Sequence, residues 1–409
     1  MAGAEEKLAF HRCEPSGAEV MPTPPETTRQ DRLLSLDVFR GITLVGMVLV
    51  NNHPGPIYGP LGHVKWNGWG FADLIFPFFI FIVGVAIPYS LDKRRSQGAG
   101  RTAIVLTIFR RSILLFLLGL FLNGYPRFLN EFPHFDLAHL RIFNALQRIA
   151  LCYFVASLLY LGCKPKTQAA LGVFLLVFYY VMTAFVPVPG GHAGMLDFED
   201  RQNNWNHYID VRAMPGHMQT ANWESKGLFS TLPAIATALI GLLTGQYLRS
   251  SAPVLRKLVN LYFFGAVGLF LGGLWSLFFP INQNLWTSSL VLLMGGMAMV
   301  VFASCYYVAD FHKIAWWTPP FLVFGRNSLA VWTLTILLAR TLEWIKVGGS
   351  GGTTTNLKRY LFHRLADSNI LGIWTPGEWN GSLLFAIFYV LLFLGITGML
   401  YRWKVFFKV

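Results

Sequence analysis

Long apolar stretches alternate with short polar connections along most of the chain. A membrane-spanning helix needs roughly 20 mostly apolar residues to cross about 30 Å of hydrocarbon. Ten stretches approach or meet that requirement: residues 34–52, 70–91, 111–123, 141–162, 167–187, 227–248, 258–279, 286–309, 320–345 and 381–401. The third stretch is short unless residues 102–110 extend it as a helix. The pattern predicts an all-α integral membrane protein with about ten transmembrane helices.

Composition supports the membrane class and suggests how the chain is divided. Charged residues make up 13% of the 409 residues and hydrophobic residues 54%, whereas soluble domains carry about 25% charged residues. Residues 1–31 are polar and Pro-rich, without the apolar core of a signal peptide. We therefore expect a mobile cytoplasmic tail at 1–31, followed by a single transmembrane domain over 32–409.

Positive charge is unevenly distributed between the connections. The net charge is +13, and the even-numbered connections hold 12 Lys and Arg in 40 residues, against 10 in 117 for the odd-numbered ones. Cytoplasmic loops carry the Lys/Arg excess, so both termini and the even-numbered connections are expected in the cytoplasm. Residues 188–226 then form a long periplasmic loop. The basic charge therefore indicates membrane topology and not nucleic-acid binding.

Cysteine and histidine spacing gives no sign of a metal site. The four cysteines (Cys13, Cys152, Cys163 and Cys305) have no paired spacing. The histidines of the odd-numbered connections lack the short spacing of zinc ligands. The sequence therefore predicts neither a metal site nor a redox site.

Arginines inside the predicted spans are candidates for function. An ionisable side chain at membrane depth costs roughly 2.5–3.5 kcal/mol on insertion scales, so it is retained for a reason. Arg340 lies near an outer end, where it can snorkel and pair with Glu343. Arg326 lies near an inner end. Arg148 lies at least about two turns from either end of its predicted helix, so a buried anionic partner, from the protein or a ligand, is expected.

The connection after the first span is the main candidate for chemistry. Residues 51–70 read "NNHPGPIYGPLGHVKWNGWG", in which Gly and Pro hinder a regular helix. Its apolar residues predict a loop folded back into the bundle, with His63 in a partly buried pocket beside carboxamides. Asp73 is then a candidate to orient the imidazole, the side chain best suited to exchange a proton near neutral pH. A plain connection and a reaction site both remain open.

Five segments of the chain resemble signature segments of the heparan-α-glucosaminide N-acetyltransferase family, including its bacterial members. They are "RLLSLDVFRGITLVGMVLVNN", "LGHVKWNGWGFADLIFPFFIFIVG", "RIFNALQRIALCY", "GLFSTLPAIATALIGLLTG" and "INQNLWTSSLVLLMGG". The resemblance covers about residues 32–400. It implies transfer of acetyl from cytosolic acetyl-CoA, as cosubstrate, to the amino group of a glucosamine-type sugar on the periplasmic side of a bacterial inner membrane.

The resemblance also implies roles for individual residues. The family's active-site histidine in H-x-x-W-N-G falls on His63, and its partner asparagine falls on Asn52, with Asn51 as the alternative. The Asp of A-D-L-x-F-P falls on Asp73. The candidates for binding acetyl-CoA are Arg40, Arg148, Asn144, Gln147, Arg326 and Asn327. The candidates for binding the amino sugar are Trp66, Asn67, Glu224 and Trp286.

Two departures from the family pattern concern the outer face. This chain has "WESKG" at 223–227 where the family often has D-P-E-G, and Gln283 where it often has Lys. They leave the acceptor open, and the motifs do not distinguish direct transfer from an acetyl-histidine intermediate. An amino-sugar transporter and an O-acyltransferase acting on a surface glycan remain alternatives; polar residues inside the spans argue against a non-catalytic scaffold. The resemblance allows a homodimer.

Overall fold

The computed structural model describes residues 33–131, 134–191, 202–220, 223–348, 354–367 and 377–405. The expected tail at 1–31 and residues 192–201 and 221–222 of the 188–226 loop lie outside these ranges. The helices are α1 (Leu34–Asn51), α2 (Phe71–Ser96), α3 (Arg101–Gly124), α4 (Arg127–Asn130), α5 (Ala145–Gly162), α6 (Pro165–Phe185), α7 (Trp205–Ala213), α8 (Thr231–Leu248), α9 (Val254–Trp275), α10 (Ser288–Cys305), α11 (Pro319–Arg326), α12 (Ser328–Trp344), α13 (Leu357–Ala366) and α14 (Glu378–Arg402). Strands β1 (Lys346–Gly348) and β2 (Thr354–Asn356) pair antiparallel.

Within the described ranges, nine helices are long and apolar enough to cross a membrane. They are α1, α2, α3, α5, α6, α8, α9, α10 with the π-helical turn that follows it, and α14. Counting α11 and α12 together as one broken span gives ten, the number predicted from the sequence. Because α3 begins at Arg101, helix does extend the short third stretch. The all-α multi-pass membrane class is confirmed.

The ninth predicted span, residues 320–345, is not one continuous helix as the sequence suggested. It divides into α11 and α12, which meet at 82°. A Cβ on Gly325 would collide with the main-chain carbonyl of Asp37, and a Cβ on Gly41 with that of Phe321. α11 therefore lies directly against α1 and cannot continue along the axis of α12. The backbone changes direction at Asn327 (φ −114°, ψ 33°).

α2 is the central helix of the bundle. Of the most apolar 18-residue stretch of α2, 78% is buried inside the protein. The same share is 22% for each of α3, α6 and α9. α2 contacts α1, α5, α8 and α10, so the functional groups on it are surrounded by protein. The three less buried helices leave their apolar faces for lipid.

The loop between α1 and α2 folds back onto the bundle. The main-chain N–H of Gly68 donates to the carbonyl of Ile281 (2.7 Å), and Nδ2 of Asn282 donates to Oδ1 of Asn67 (3.1 Å). At the other end of the loop, the N–H of Gly55 donates to Oγ of Ser382 (3.3 Å). These contacts hold the loop against two distant parts of the chain and fix the position of His63.

Candidate functional site

A histidine–carboxylate pair lies at the start of α2. Nδ1 of His63 is 2.7 Å from Oδ1 of Asp73. The Asp73 side chain is 2% exposed and the His63 side chain 49% exposed. An ionised carboxylate only accepts hydrogen bonds, so in the neutral imidazole Nδ1 carries the proton and Nε2 keeps its lone pair. This arrangement orients the imidazole and leaves Nε2 able to accept a proton or attack a carbon.

The start of α2 fixes the Asp73 carboxylate. Its second oxygen, Oδ2, accepts hydrogen bonds from the main-chain N–H groups of Gly70 (2.9 Å) and Val64 (3.2 Å). Asp73 is the third residue of the helix, where a carboxylate caps free N–H groups and interacts favourably with the helix dipole. The sequence "GFAD" thus starts the helix and also positions the group that contacts His63.

His63 borders a cavity of ≈ 370 Å³, the His63 cavity. This size lies within the usual range of small-molecule sites, about 300–1,000 Å³. Its polar lining residues are Asn51, Asn52, His63, Asn144, Lys226, Gln283, Thr335, Arg340, Glu343 and Lys358. Asn52 is buried and donates one Nδ2 hydrogen to the carbonyl of Val48 (2.8 Å). The other amide hydrogen of Asn52 is not used by that bond.

A second cavity of ≈ 330 Å³, the Arg40 cavity, lies further along α2. Arg40 and Arg111 contribute its two cationic side chains, and Ser90, Tyr153 and Ser328 contribute hydroxyl groups. The rest of the lining is apolar. An apolar channel with two guanidinium groups suits an elongated ligand that carries anionic groups.

The two cavities meet at one pair of aromatic side chains. Phe79 and Trp332 line both cavities, and their rings pack edge to face with centroids 5.2 Å apart. Ala72 borders the His63 cavity and Ser90 the Arg40 cavity; at 1.5 Å per residue they are about 27 Å apart along α2. Together the two cavities therefore cover most of a hydrocarbon thickness of about 30 Å.

Two residues of the His63 cavity correspond to the departures noted in the sequence. Nε2 of Gln283 donates to the main-chain carbonyl of Asp73 (3.3 Å). Lys226 donates from Nζ to Oγ of Ser225 (3.0 Å), and its ammonium lies 5.9 Å from the centre of the Phe76 ring. Burial lowers the pKa of Lys226 from 10.5 to about 8, and repulsion by Arg148 and Arg141 adds to this. Neither residue was among the sequence-predicted site residues, although the departures marked both positions.

Arg340 does not pair with Glu343, contrary to the expectation from their spacing. Glu343 instead accepts a hydrogen bond from Nζ of Lys358 (2.7 Å). Nη1 of Arg340 donates to the carbonyls of Tyr125 (2.8 Å), Asn123 (3.1 Å) and Leu122 at the end of α3. The last carbonyls of a helix have no intrahelical partner and interact favourably with a cation, so Arg340 binds the C-terminal end of α3.

Among the predicted acetyl-CoA ligands, Arg40 lines the Arg40 cavity and Asn144 lines the His63 cavity, and the other four line neither. Arg40 lies 3.4 Å from Asp37 in the expected i,i+3 pair. Asn144 caps α5 by accepting from the N–H of Ala145 (2.8 Å), and it donates to Oδ1 of Asn123 (2.8 Å).

Arg148 and Gln147 are fully buried outside both cavity linings. Arg148 donates to the carbonyl of Gly227 (3.3 Å) and to Oγ of Ser230, and its guanidinium lies over the ring of Trp286. Asp210 lies nearby, with Oδ1 accepting from the N–H of Leu228 (2.9 Å). Arg148 thus contacts the segment that leads into α8.

Arg326 and Asn327 lie at the bend between α11 and α12. Nη1 of Arg326 donates to the hydroxyl of Tyr401 (2.5 Å), and its Nε is 3.9 Å from Asp37. The Asn327 amide is fully buried, and neither of its polar atoms has a hydrogen-bond partner among the described residues. Neither residue is in a cavity lining, but the next residue, Ser328, borders the Arg40 cavity.

The predicted sugar-binding residues surround the His63 cavity without lining it. Trp66 packs edge to face on Trp223 (5.3 Å). Glu224 is buried and accepts two hydrogen bonds from Arg141, at 2.6 and 2.9 Å. Trp286 packs against Phe76 (5.1 Å), which does line the cavity. Asn67 binds Asn282, as described for the loop.

The described residues contain no group of three or more His, Cys, Asp or Glu side chains that could hold a metal ion.

Comparison with known proteins supports the resemblance stated from the motifs. Residues 32–127, which include α1, the His63 loop and α2, match a family described as a domain of unknown function (DUF5009). The chain is similar to the heparan-alpha-glucosaminide N-acetyltransferases of Mus musculus and Homo sapiens. Both are 28% identical over 78% of this chain, and the matches cover 56% and 55% of their own lengths. The chain thus spans about half the length of these curated relatives.

Proposed function

We propose that the chain is a transmembrane N-acetyltransferase. Acetyl-CoA binds in the Arg40 cavity, and the acetyl group is transferred in the His63 cavity to the amino group of a glucosamine-type sugar. The observation that carries this proposal is the arrangement of the two cavities along α2, with guanidinium groups in one and the His63–Asp73 pair in the other. The two curated relatives are named for N-acetyl transfer to an amino sugar, which supports the same chemistry here.

In the proposed reaction, the acceptor amine attacks the thioester carbonyl carbon. The new N–C bond forms as the C–S bond breaks, and CoA leaves as a thiolate. Nε2 of His63 takes the proton from the amine and returns it to the thiolate, while Asp73 holds the imidazole through Nδ1–H. In the alternative route Nε2 attacks the thioester first, the C–S bond breaks, and Nε2 carries the acetyl group as acetyl-imidazole until the acceptor amine attacks and the bond to Nε2 breaks. Both routes require the same nitrogen.

Asn52 is the proposed donor to the thioester oxygen. Its uncommitted amide hydrogen is available in the cavity lining, where a positioned donor to a developing oxyanion contributes roughly 2.7–4 kcal/mol. Asn51, next to it and exposed, is the alternative donor. Arg40 and Arg111 are the proposed partners of the CoA phosphates. Arg148 and Gln147 lie outside both linings, so we assign them no ligand contact.

The orientation in the membrane is part of the proposal. The Lys/Arg excess of the even-numbered connections favours a cytoplasmic Arg40 cavity and a periplasmic His63 cavity in a bacterial inner membrane. Cytosolic acetyl-CoA and an external amino sugar then reach opposite ends of the same path. A homodimer stays a prediction, and the two cavities described here lie within one chain.

The test uses the purified chain in detergent with acetyl-CoA and glucosamine, following release of free CoA. We expect release that depends on glucosamine, and a decrease of at least a hundredfold in His63→Ala because general base catalysis contributes roughly 10²–10⁴. His53→Ala is the matched control: His53 is in the same loop, contacts the carbonyl of Gly55 (3.0 Å) and lines neither cavity. Equal loss in both variants, or none in His63→Ala, would contradict the assignment.

The second candidate is an amino-sugar transporter. Two cavities on either side of an aromatic pair also suit a substrate that crosses the membrane unchanged. Uptake of labelled glucosamine into proteoliposomes without acetyl-CoA, together with no CoA release, would favour this function. An O-acyltransferase is distinguished by CoA release with a sugar that has hydroxyl groups but no amine.

A further inference from the structure

Lys226 brings a primary amine into the lining of the His63 cavity. It lies between Glu224 and the start of α8, in the segment where this chain departs from the family pattern. Among the described residues, Nζ has a single hydrogen-bond partner, Oγ of Ser225. Lys226 forms no salt bridge with a described carboxylate. Glu224 pairs with Arg141, and Asp73 accepts hydrogen bonds from His63 and from two main-chain N–H groups.

The second lysine of the same cavity, Lys358, has a carboxylate partner. Nζ of Lys358 is 2.7 Å from Oε1 of Glu343. This ion pair holds Nζ of Lys358 against Glu343. The lining of this cavity therefore contains one ion-paired lysine, Lys358, and one lysine, Lys226, that forms no ion pair with the described residues.

We propose that Lys226 is itself an acetyl acceptor, so that the protein acetylates this side chain when acetyl-CoA is bound and no amino sugar occupies the His63 cavity. The inference rests on the proposed acetyltransferase function, and it adds a modification site within the same cavity. The chemistry is that of the acceptor sugar, since both substrates present a primary amine.

The step balances without any further reactant. The neutral Nζ of Lys226 attacks the carbonyl carbon of the thioester, or of acetyl-imidazole on His63. With the thioester as donor, an N–C bond forms, the C–S bond breaks, and the proton lost from nitrogen passes through His63 to the CoA thiolate. With acetyl-imidazole as donor, the C–S bond has already broken, so the N–C bond forms as the bond between the acetyl carbon and Nε2 of His63 breaks, and the proton lost from nitrogen goes to the CoA thiolate. The products are acetyl-lysine and CoA.

The surroundings of Lys226 favour the neutral amine. With a pKa lowered to about 8 by burial, about half of the Lys226 side chains are neutral at pH 8, whereas an ordinary lysine with a pKa near 10.4 is more than 99% protonated. The exposed Lys65, two residues after His63, gives a surface comparison within the same loop.

Acetylation of Lys226 has a consequence for turnover. The product is a neutral amide that occupies part of the space that the acceptor needs. Incubation with acetyl-CoA alone should therefore lower the subsequent rate of acetyl transfer to glucosamine. In Lys226→Arg the guanidinium stays protonated and cannot be acetylated, so the ratio of rates with and without such incubation should remain near one.

The test incubates the purified full chain with isotope-labelled acetyl-CoA at pH 8 and maps acetylated peptides by mass spectrometry. We expect Lys226 to be labelled at least tenfold faster than Lys358 or Lys65. Labelling should fall at least tenfold in His63→Ala, and saturating glucosamine should suppress it. Parallel samples measure glucosamine-dependent CoA release.

The outcomes separate this inference from the proposed function. CoA release with glucosamine, combined with a Lys226 that is unlabelled or labelled no faster than Lys65, overturns the modification site and leaves the enzyme. Labelling of Lys226 that is unchanged in His63→Ala also overturns it, because the reaction would then be non-enzymatic. Absence of both labelling and CoA release refutes the proposed function and this inference with it.

Discussion

Replacing Asp73 by asparagine tests how the imidazole of His63 is held. The carboxylate accepts three hydrogen bonds: Oδ2 from the N–H groups of Gly70 and Val64, and Oδ1 from Nδ1 of His63. In Asp73→Asn the remaining oxygen must face the two main-chain donors, because the amide nitrogen cannot accept. That nitrogen then faces Nδ1 of His63 and donates to it.

The consequence is a reversed tautomer. With Nδ1 accepting, the imidazole proton moves to Nε2, which can then neither take a proton nor attack the thioester. In a serine protease the equivalent Asp→Asn change lowers kcat about 10⁴-fold for this reason. We expect a decrease of about 10³–10⁴ in the rate of acetyl transfer, equivalent to about 4–5.5 kcal/mol at 1.36 kcal/mol per tenfold.

Stability should change far less than the rate. The two main-chain hydrogen bonds survive, and the main loss is the favourable interaction of a charge with the helix N-terminus, about 0.3–1 kcal/mol. Glucosamine-dependent CoA release and thermal unfolding in detergent measure the two effects separately. Combining Asp73→Asn with His63→Ala should add nothing to the effect of His63→Ala alone.

The reasoning is refuted by a correctly folded Asp73→Asn variant that retains more than a tenth of the wild-type rate. It is equally refuted by a double variant that loses much more activity than His63→Ala. Either result would mean that Asp73 acts mainly as the cap of α2, and that another group sets the tautomer of His63.

Three further predictions follow from particular contacts. Trp332→Ala removes one ring of the Phe79–Trp332 pair where the two cavities meet, so water should reach the thioester and CoA release without an acceptor should rise several-fold relative to glucosamine-dependent release. An unchanged ratio of the two rates would contradict this. Burial raises the pKa of Asp210 from 3.8 to about 7, so between about pH 4 and about pH 7 the folded state retains a proton that the unfolded state loses, and the free energy of unfolding should fall as pH rises across this range. The difference in melting temperature between the wild type and Asp210→Asn should therefore change with pH, and a difference that is constant from about pH 4 to about pH 7 would refute the prediction. Gly325→Ala should cost about 1–3 kcal/mol, because the new methyl collides with the main chain of α1, whereas Gly395→Ala, with open space at its Cβ position, should be neutral or stabilising in thermal unfolding.

Several features of the site were accessible from local sequence. His63 is tied to Asp73 because both belong to one short loop and the helix start that follows it, and a carboxylate at the third helical position has a strong local preference. Asn51 and Asn52 end the preceding span, so the fold-back of an apolar loop was enough to predict carboxamides beside the histidine. These relationships depend on neighbours in the chain.

Contacts between distant helices could not be read in the same way. The sequence predicted a buried anionic partner for Arg148, from the protein or a ligand, yet its hydrogen bonds go to the carbonyl of Gly227 and the hydroxyl of Ser230, outside both cavities. Its neighbours are decided by how α5 packs against α8. Arg340 was matched with Glu343 by spacing, but its partners are carbonyls at the end of α3.

The sequence by itself determined the membrane class, a number of spans close to ten, and the proximity of His63 to Asp73. Length and hydropathy decide burial in lipid, and helix-start chemistry is local. Only the tertiary structure decided that α11 turns away from α12, that Phe79 and Trp332 meet between two cavities, and that Lys226 shares the cavity of His63. Those outcomes depend on steric fit between helices far apart in the chain, and hydrophobic periodicity carries no information about which helices touch.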